Sequence, residues 1–572
     1  MRDIKDIHYS TDILIVGAGS AGLWAAYSAK KKNPDVDVLI CDKGPKNWGG
    51  LMSCAGGDLD IVMPDENIDD WIKDWVYYYD GLCDQELMEK IFKDTYDIFK
   101  KYEGWGCEYL KDENGTIETV GVPQRGLDHV KLYVTKIKGS GGLRLVNAIV
   151  KQVNELGVRS IGRTMLTDLI KDAEGKISGA VGFDIITGDF IQIQAKSVLL
   201  ATGFGGWKSS YMKNASTGEG IEMAFKAGAE LRNMEFVRVW NVPKLFAWEG
   251  QTTLLPLGAR FTNNKGEDFM AKYSSTLGGN TDPHYTTVAM ALETRKGNGP
   301  FYLDTTALSP EDEAVVQPKL GWQKINYDRL KELGIDFFNE KTEWMPQPLL
   351  SYGGIVADLE GQTRVPGLYA AGRCRSIDPG VYTGGFALAT TATTGKIAGE
   401  SMVDYISDVS FSEFDENEIK ALKEELYAPL SNRGIDSKEV LRAIQRIIYP
   451  YEVSIVKSEE SLENALKQLE SLQREALPFM GASSPHYLMK LKEVQAISFI
   501  TEWVLKASLL RKESRCGHFR EDYPDHLDEW LKWIVIGLED EGKVNVHTED
   551  VPLESYKFDI ERYYQDNFDF KN

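Results

Sequence analysis

TDILIVGAGSAG, residues 11–22, joins an apolar run to a glycine-rich turn. The β-branched residues before the turn predict a short buried strand, and the alanine-rich stretch after it predicts a helix that ends before the Asn-Pro pair at 33–34. VDVLICD at 36–42 predicts a second strand. Strand, glycine turn, helix and strand in this order are typical of a dinucleotide-binding fold.

Each glycine of the turn has its own role in that fold. Gly17 permits the tight turn, Gly19 lets the backbone approach a pyrophosphate, and Gly22 lets helix and strand pack closely. The start of the helix faces the phosphates, and the acid at the end of the second strand is placed to accept from ribose hydroxyls. The predicted dinucleotide contacts of this region are Gly17, Gly19, Ser20, Ala21, Gly22, Asp42 and Lys43.

Two later segments favour FAD over NAD as the dinucleotide. Ala201-Thr202-Gly203 follows the buried strand that begins at Ser197, and GLYAAG at 367–372 again joins a strand to a glycine turn. A simple NAD domain does not need these two distant strand–turn segments, whereas a two-dinucleotide-fold flavoprotein uses both. We therefore expect Ala201, Thr202, Gly203, Gly372 and Arg373 to contact FAD.

Composition limits the class of protein. The 572 residues predict two or three domains, and 42% apolar with 27% charged residues is ordinary for a soluble globular protein. We expect a cytoplasmic protein, because we find no signal peptide and no run of about 18 uncharged apolar residues. A net charge of −22 disfavours nucleic acid and anionic membranes as partners. None of the six cysteines forms a CxxC motif, so no metal site is expected.

Five further motifs follow one another along the chain. They are WGGLMSCAGG at 48–57, MEFV at 234–237, GEDFM at 266–270, GGI at 353–355 and ESRCGHFREDYP at 513–524. Over roughly residues 10 to 540 the chain resembles the flavoprotein subunits of succinate dehydrogenase and fumarate reductase. The last motif is long and specific, and its Arg515, His518 and Arg520 are interpreted as mainly structural.

The resemblance implies an α/β fold with a two-dinucleotide-binding-type FAD domain, an inserted α+β capping domain and a C-terminal helical domain. The predicted boundaries are 1–240 with 351–405 for the FAD domain, 241–350 for the capping domain, 406–540 for the helical domain and 541–572 for a tail. Amphipathic helices are also predicted from the spacing of apolar residues at 438–448, 462–472 and 488–510. The resemblance adds Gly49, Gly50, Ala55, Gly56 and Gly57 to the expected FAD contacts.

The departures from the family concern the flavin linkage and the substrate. The histidine that bonds covalently to the flavin in the family falls at Gly50, so we expect noncovalent FAD. The four positions that handle the dicarboxylate fall near Trp240, Leu255, Leu349 and Tyr382 or Thr383. Succinate and fumarate need cationic donors, so a neutral aromatic or mixed pocket is expected instead. Arg373 replaces an acid that contacts the ribityl chain, and we expect it either to contact the pyrophosphate or to point elsewhere.

Five residues are candidates for catalysis. Arg260 could bind an anionic group, and the alternative is a surface or domain-interface ion pair. His284 is the first choice for the proton donor because its ordinary pKa is close to neutral, and the alternative is a histidine that only opens a helix. Tyr382 and Tyr352 are the second and third choices, and core tyrosines are the alternative for both. Trp240 is expected to line the pocket.

The predicted function is FAD-dependent redox chemistry on a small substrate other than succinate or fumarate. The resemblance allows the electron partner to be a ferredoxin-like iron–sulfur subunit, whereas the related L-aspartate oxidases work without one. Three alternatives stay open: a direct oxidase that uses dioxygen, a non-catalytic electron-transfer flavoprotein, and a flavoprotein resembling the adenylylsulfate reductase alpha subunit. No nucleic-acid partner and no membrane insertion are expected.

Overall fold

A computed structural model describes most of the chain. The described residues are 4–121, 127, 129–133, 141–209, 214–245, 254–309, 311–312, 321–381, 383–431, 433–539, 542–560 and 562–571.

The largest sheet is built around the predicted first strand, Asp6–Val16. Its parallel neighbours are Val38–Cys41 on one side and Phe190–Leu200 on the other. The remaining strands are Arg159–Ile161 outside Val38–Cys41, Leu368–Ala370 beside the end of Phe190–Leu200, and the antiparallel pair Ile177–Asp184 and Thr164–Lys171. In this register Val16 lies opposite both Cys41 and Leu200. The carboxyl ends of the predicted dinucleotide strands therefore meet at one edge.

The helix after the first strand, Ser20–Lys32, packs against the late helix Phe386–Tyr405. A Cβ at Gly395 would lie 2.3 Å from the Ala21 carbonyl oxygen, and one at Gly399 would lie 2.2 Å from that of Ala25. Small residues on both helices are required for this close approach, since a side chain at either glycine would force the backbones apart.

A second sheet contains most of the strands of the predicted capping region. It contains Gly205–Gly206, Thr342–Ser351, Phe301–Asp304 and Arg260–Thr262, with Val237–Pro243 paired to Thr342–Ser351. The helix Pro283–Arg295 packs on this sheet. The predicted domain boundaries at 240 and 350 fall inside Val237–Pro243 and Thr342–Ser351, and the division itself stays a prediction.

The C-terminal region is helical, as predicted. Its helices are Glu416–Tyr427, Ser437–Ile448, Tyr451–Ser454, Glu459–Glu475 and Pro485–Leu510. All three segments with amphipathic spacing lie within helices. None of the helices in the described part of the chain has the length and apolar content to span a membrane.

The residues after the helical region return to the flavin domain. Lys532–Leu538 and Val544–Asp550 form a hairpin that joins Leu231–Arg232 and Gly354–Ile355 in a third sheet. Two small sheets complete the strands: Leu59–Asp60 with Thr119–Gly121 and Lys131–Tyr133, and Ile435–Asp436 with Met480–Gly481. The other helices are Ile68–Tyr78, Gln85–Gly104, Gly141–Glu155, Glu219–Ala227, Gly321–Glu332 and Tyr563–Asn567.

Candidate functional site

The glycine turn closes tightly on the strands around it. Gly17 has a positive φ of 109°, and a Cβ there would lie 2.4 Å from the Ala201 carbonyl oxygen. A Cβ at Gly22 would lie 1.9 Å from the Gly17 carbonyl oxygen. The first and third glycines thus have the roles predicted from the sequence, and the ATG segment is in direct contact with the first turn.

The side of Gly19 that a Cβ would occupy is open, because no heavy atom of the described residues lies within 4 Å. Ser20, the first residue of the helix, is 6% exposed, and its Oγ has no hydrogen-bond partner among those residues. An open backbone face and an unpartnered hydroxyl at a helix N-terminus fit a phosphate group.

Asp42 is oriented by two backbone amides. Ala18 N–H donates to its Oδ2 and Gly44 N–H donates to its Oδ1, each at 2.6 Å. A carboxylate has about four lone-pair sites, so Asp42 retains acceptor capacity for ribose hydroxyls. Lys43, in contrast, extends toward Thr217, Glu219 and Glu493.

The WGG segment lies beside the first glycine turn. Gly49 forms a parallel bridge with Gly19, and a Cβ at Gly50 would lie 3.5 Å from the Gly19 Cα. The loop that follows is tied to a second helix, since Gly142 N–H donates to the Ala55 carbonyl at 3.1 Å. Gly56 and Gly57 continue this loop toward the strand Leu59–Asp60.

The late glycine turn at Gly372 packs against the start of the first helix. Gly372 has a φ of +70°, and a Cβ there would lie 2.7 Å from the Ala21 Cβ. Its N–H donates to Thr394 Oγ1 at 3.0 Å. The Thr202 side chain closes against Gly220, where a Cβ would lie 2.1 Å from its Oγ1. The predicted FAD segments therefore surround the carboxyl edge of the main sheet.

These features fit FAD as the cofactor. The open face at Gly19, the unpartnered Ser20 hydroxyl and the oriented Asp42 carboxylate are suited to pyrophosphate and ribose. When bound, FAD supplies reversible two-electron transfer, while the protein supplies binding, orientation and electrostatics.

Arg373 does not extend into solvent. Its side chain is 8% exposed, and its Nη2 lies 2.5 Å from Asp378 Oδ2. The guanidinium lies over the Phe204 ring at 4.6 Å and over the Tyr352 ring at 5.1 Å. The Tyr79 hydroxyl belongs to the same cluster, because its pKa is raised by burial first and then by Asp378, with Arg373 acting in the opposite direction. We call Tyr79, Phe204, Tyr352, Arg373 and Asp378 the Arg373 cluster.

Trp240 is buried on the strand Val237–Pro243, and the Arg238 guanidinium lies 4.8 Å from the centre of its ring. Arg238 also lowers the pKa of Asp378, although burial raises that pKa overall. Leu349 is fully buried on the neighbouring strand Thr342–Ser351. The positions compared with the family's histidines thus hold an aromatic and an aliphatic side chain.

His284 lies at the start of the helix Pro283–Arg295 and is 4% exposed. The backbone N–H of His284 donates to Asp282 Oδ1 at 2.7 Å, and the Tyr78 hydroxyl donates to Asp282 Oδ2 at 2.6 Å. Tyr78 directly precedes Tyr79 of the Arg373 cluster. The pKa of His284 is lowered to about 3, first by burial and then by Lys457, so its imidazole is neutral at pH 7.

The two remaining candidates for catalysis are Arg260 and Tyr382. Arg260 donates through Nη1 to the carbonyls of Leu255 and Ala259, each at 2.7 Å, and its Nε lies 3.7 Å from Asp268 Oδ2. These contacts hold a turn of the capping region. Tyr382 lies outside the described residues, and its neighbour Thr383 is fully buried.

Three members of the Arg373 cluster were not predicted from the sequence. Tyr79 directly follows the helix Ile68–Tyr78 in an unrelated segment, and neither Phe204 nor Asp378 stands in a recognised motif. One signal could have found Asp378: an arginine in place of an acid, in an apolar glycine turn, needs an acidic partner when buried.

The C-terminal motif holds chain segments together through buried ion pairs. Arg515 pairs with Glu513 at 2.7 Å and donates to the Asp80 carbonyl at 2.6 Å. Arg511 pairs with Glu235 at 2.8 Å. These contacts agree with the structural interpretation of the motif.

Comparison with protein families identifies the class. Residues 12–388 match the FAD binding domain family, and residues 442–564 match the C-terminal domain of fumarate reductase flavoproteins. The chain therefore belongs to this family of FAD-dependent oxidoreductases.

Similar proteins match nearly the whole length of this chain. The fumarate reductase flavoprotein subunit of Mycobacterium tuberculosis is 27% identical, with 94% of this chain and 96% of the relative covered. A structure of FrdA from E. coli quinol fumarate reductase has a TM-score of 0.85 at 22% identity, covering 97% of this chain and 99% of that one. Adenylylsulfate reductase from Archaeoglobus fulgidus has a TM-score of 0.80 at 21% identity, with 98% of both chains covered. The two structures show that the fold is shared.

Proposed function

We propose that this FAD-dependent oxidoreductase acts on a small substrate other than succinate or fumarate. The observation that carries the proposal is the type of side chain found on or beside the capping strands and the ATG segment. Trp240, Leu349, Phe204 and Tyr352 are buried aromatic and aliphatic residues there. Recognition of two carboxylates requires several cationic donors, which these four side chains cannot provide.

The FAD is proposed to be noncovalent. Gly50 has no side chain that could form a bond to the flavin, and it lies against Gly19 of the pyrophosphate turn. Acid precipitation should leave the yellow colour in the supernatant. Flavin that remains with the pellet would refute the proposal.

An iron–sulfur protein is the proposed electron partner. The names of two relatives support a multi-subunit arrangement, since the proteins from Mycobacterium tuberculosis and Wolinella succinogenes are each called a flavoprotein subunit. Reduction of the bound flavin by a reduced ferredoxin should be faster than reduction by NADH. Equal rates with both donors would count against a dedicated partner.

The substrate proposal is tested with protein whose flavin has been reduced anaerobically. The panel should include fumarate, conjugated monocarboxylates, adenylylsulfate and dioxygen. We expect rapid reoxidation by one member other than fumarate. Reoxidation by dioxygen alone would favour the direct oxidase, and reoxidation only by an electron-carrier protein would favour the non-catalytic flavoprotein.

A proton must be supplied on one side of such a reaction, and His284, Tyr382 and Tyr352 are the proposed donors, in that order. His284 is neutral at pH 7, so it would donate an N–H proton of the neutral ring rather than act as an imidazolium. The Arg373 guanidinium lies over the Tyr352 ring, 5.1 Å from its centre, which places Tyr352 beside the predicted flavin segments.

A further inference from the structure

Residues from three separate segments of the chain meet at the Arg373 side chain. Phe204 directly follows the ATG segment, Tyr352 directly precedes the GGI segment, and Arg373 itself follows Gly372 of the late turn. The two rings lie on the guanidinium at 4.6 and 5.1 Å. The charge is therefore fixed where the predicted flavin segments and the capping sheet meet.

Only part of the guanidinium is used by the protein. Nη2 is paired with Asp378, while Nε and Nη1 have no hydrogen-bond partner in the part of the chain that the structure describes. Two parallel N–H donors of a guanidinium always include Nη2, together with either Nε or Nη1. Asp378 Oδ2 accepts one of the two Nη2 hydrogens, and we call the remaining pair of parallel donors the open edge. The pKa of Arg373 is raised, because Asp378 and Tyr352 outweigh the effect of burial, and the side chain stays charged. Leaving buried charged donors unsatisfied is unfavourable, so we expect a ligand to supply acceptors at the open edge.

The groups around this edge define the ligand further. The Tyr79 hydroxyl is fully buried and also has no partner among the described residues. Tyr79 belongs to an aromatic wall: its ring centroid lies 4.9 Å from that of Trp75, which in turn lies 4.1 Å from that of Phe386. A ligand that satisfies the cluster has a planar acceptor group at one end and a flat apolar body.

The charges favour a single negative group. Asp378 neutralises Arg373, and the Arg238 guanidinium adds one further positive charge that acts on Asp378. Planar bidentate acceptors suit an arginine fork better than a spherical anion does. A second carboxylate would meet the aromatic wall, whose Tyr79 hydroxyl and Trp75 indole N–H are neutral donors rather than cations.

We propose that the open edge of Arg373 binds a planar group with two neighbouring acceptor atoms. Its source is either the carboxylate of a flat, conjugated monocarboxylate substrate or the edge of the flavin ring where the C2 carbonyl oxygen lies beside the ring nitrogen N1. The first of these two sources, a substrate carboxylate, rests on the proposed function. The proposal requires only bound, oxidised flavin to be tested, so its failure is distinct from a failure to find redox turnover.

The experiment uses the FAD-loaded protein and its Arg373→Gln variant. The Arg373→Gln/Asp378→Asn double variant serves as a second test, because it removes both charges and leaves no buried carboxylate alone. Arg375→Gln is the matched control: this arginine is also buried and only two residues away, but it donates to the carbonyls of Ala357 and Asp358. FAD content confirms that each variant is folded.

Two readouts separate the two sources of the acceptor group. Cinnamate is titrated against the oxidised flavin absorbance, and the flavin midpoint potential is measured without it. If Arg373 binds a substrate carboxylate, both Arg373 variants weaken cinnamate binding by about tenfold or more, with the potential unchanged. If it binds the flavin edge, the potential falls and sulfite binds the flavin about tenfold more weakly, because a positive charge that stabilises the reduced flavin and its sulfite adduct is lost. If neither property differs from that of Arg375→Gln, the proposal is overturned.

Discussion

Lys43 Nζ donates to Glu493 Oε1 at 3.1 Å and so joins the end of the second strand to the helix Pro485–Leu510. The same ammonium donates to Glu219 Oε1 at 2.6 Å and to Thr217 Oγ1 at 2.9 Å. Asp42, which precedes Lys43, is the predicted ribose ligand. The helical region is thus tied directly to the corner of the cofactor site.

Neutralising Glu493 should destabilise the fold. The pKa of Glu493 is lowered to about 2 by Lys43 and Lys208, which outweigh its burial. Glu493→Gln removes one charged partner from the partly exposed Lys43 and Lys208, while Lys43 keeps its ion pair with Glu219, and we expect a loss of roughly 2 kcal/mol in the free energy of unfolding at pH 7. Because the folded pKa lies below that of the unfolded chain, the difference should shrink as pH falls from about 5 toward 2. Urea denaturation measures both effects.

Glu463→Gln is the matched control for that variant. Glu463 pairs with Lys467 at 3.5 Å on a helix surface, with both side chains more than half exposed. Such pairs contribute about 0.5 kcal/mol or less. An equal, small loss in both variants would show that Glu493 is not a structural link.

Replacing Lys457 should stabilise the protein near neutral pH. This lysine is 1% exposed and lies 3.1 Å from His518 Nδ1 and 3.4 Å from the Glu235 carbonyl. Its pKa is lowered to about 7, first by burial and then by Arg520, against the opposing effect of Glu235. Since the unfolded chain holds this proton up to about pH 10, burial of the group costs a few kcal/mol at pH 7.

We therefore expect Lys457→Met to unfold at higher urea concentration than the wild type at pH 7. The folded pKa lies below the unfolded one, so wild-type stability rises with pH in this range. The advantage of the variant should decrease between about pH 7 and 10. An advantage that is constant with pH would mean that Lys457 does not titrate there.

Gly50→Ala should weaken FAD binding more than backbone strain explains. Gly50 has a φ of +54°, and its Cβ would contact Gly19, the residue with the open backbone face. Gly106→Ala carries comparable strain, with a φ of +89°, but no heavy atom of the residues that the structure describes lies within 4 Å of its Cβ position. Fluorescence titration of the apoprotein with FAD should show weaker binding for Gly50→Ala alone. Equal affinity of the two variants would remove Gly50 from the cofactor site.

The proton donor can be found with His284→Ala, Tyr382→Phe and Tyr352→Phe. Loss of a general acid lowers turnover by about 10²- to 10⁴-fold, and FAD content should stay normal. With its lowered pKa, His284 should leave no ionisation near pH 6.5 in the wild-type rate profile. If all three variants keep wild-type turnover with the true substrate, none of these residues is the donor.

The sequence predicts the parts of the proposed cofactor site that lie close together along the chain, and their contacts with FAD stay a prediction. The turn from Gly17 to Gly22 and the acid Asp42 are set by local strand, turn and helix preferences, and the structure contains the predicted strand, glycine turn and helix. The Arg373 cluster could not be predicted from the sequence, because Tyr79, Phe204 and Asp378 meet only through tertiary packing. The partner of Lys43 was missed for the same reason: Glu493 lies 450 positions away.

The most direct test of the account is a stopped-flow assay with fumarate and succinate. Anaerobically reduced protein is mixed with fumarate, and oxidised protein is mixed with succinate, while the flavin absorbance is followed. We predict that the flavin spectrum stays unchanged over many seconds in both experiments, because Trp240 and Leu349 are proposed to stand where a dicarboxylate needs polar or cationic donors. Turnover of about ten per second with either acid, typical of an enzyme on its own substrate, would contradict it.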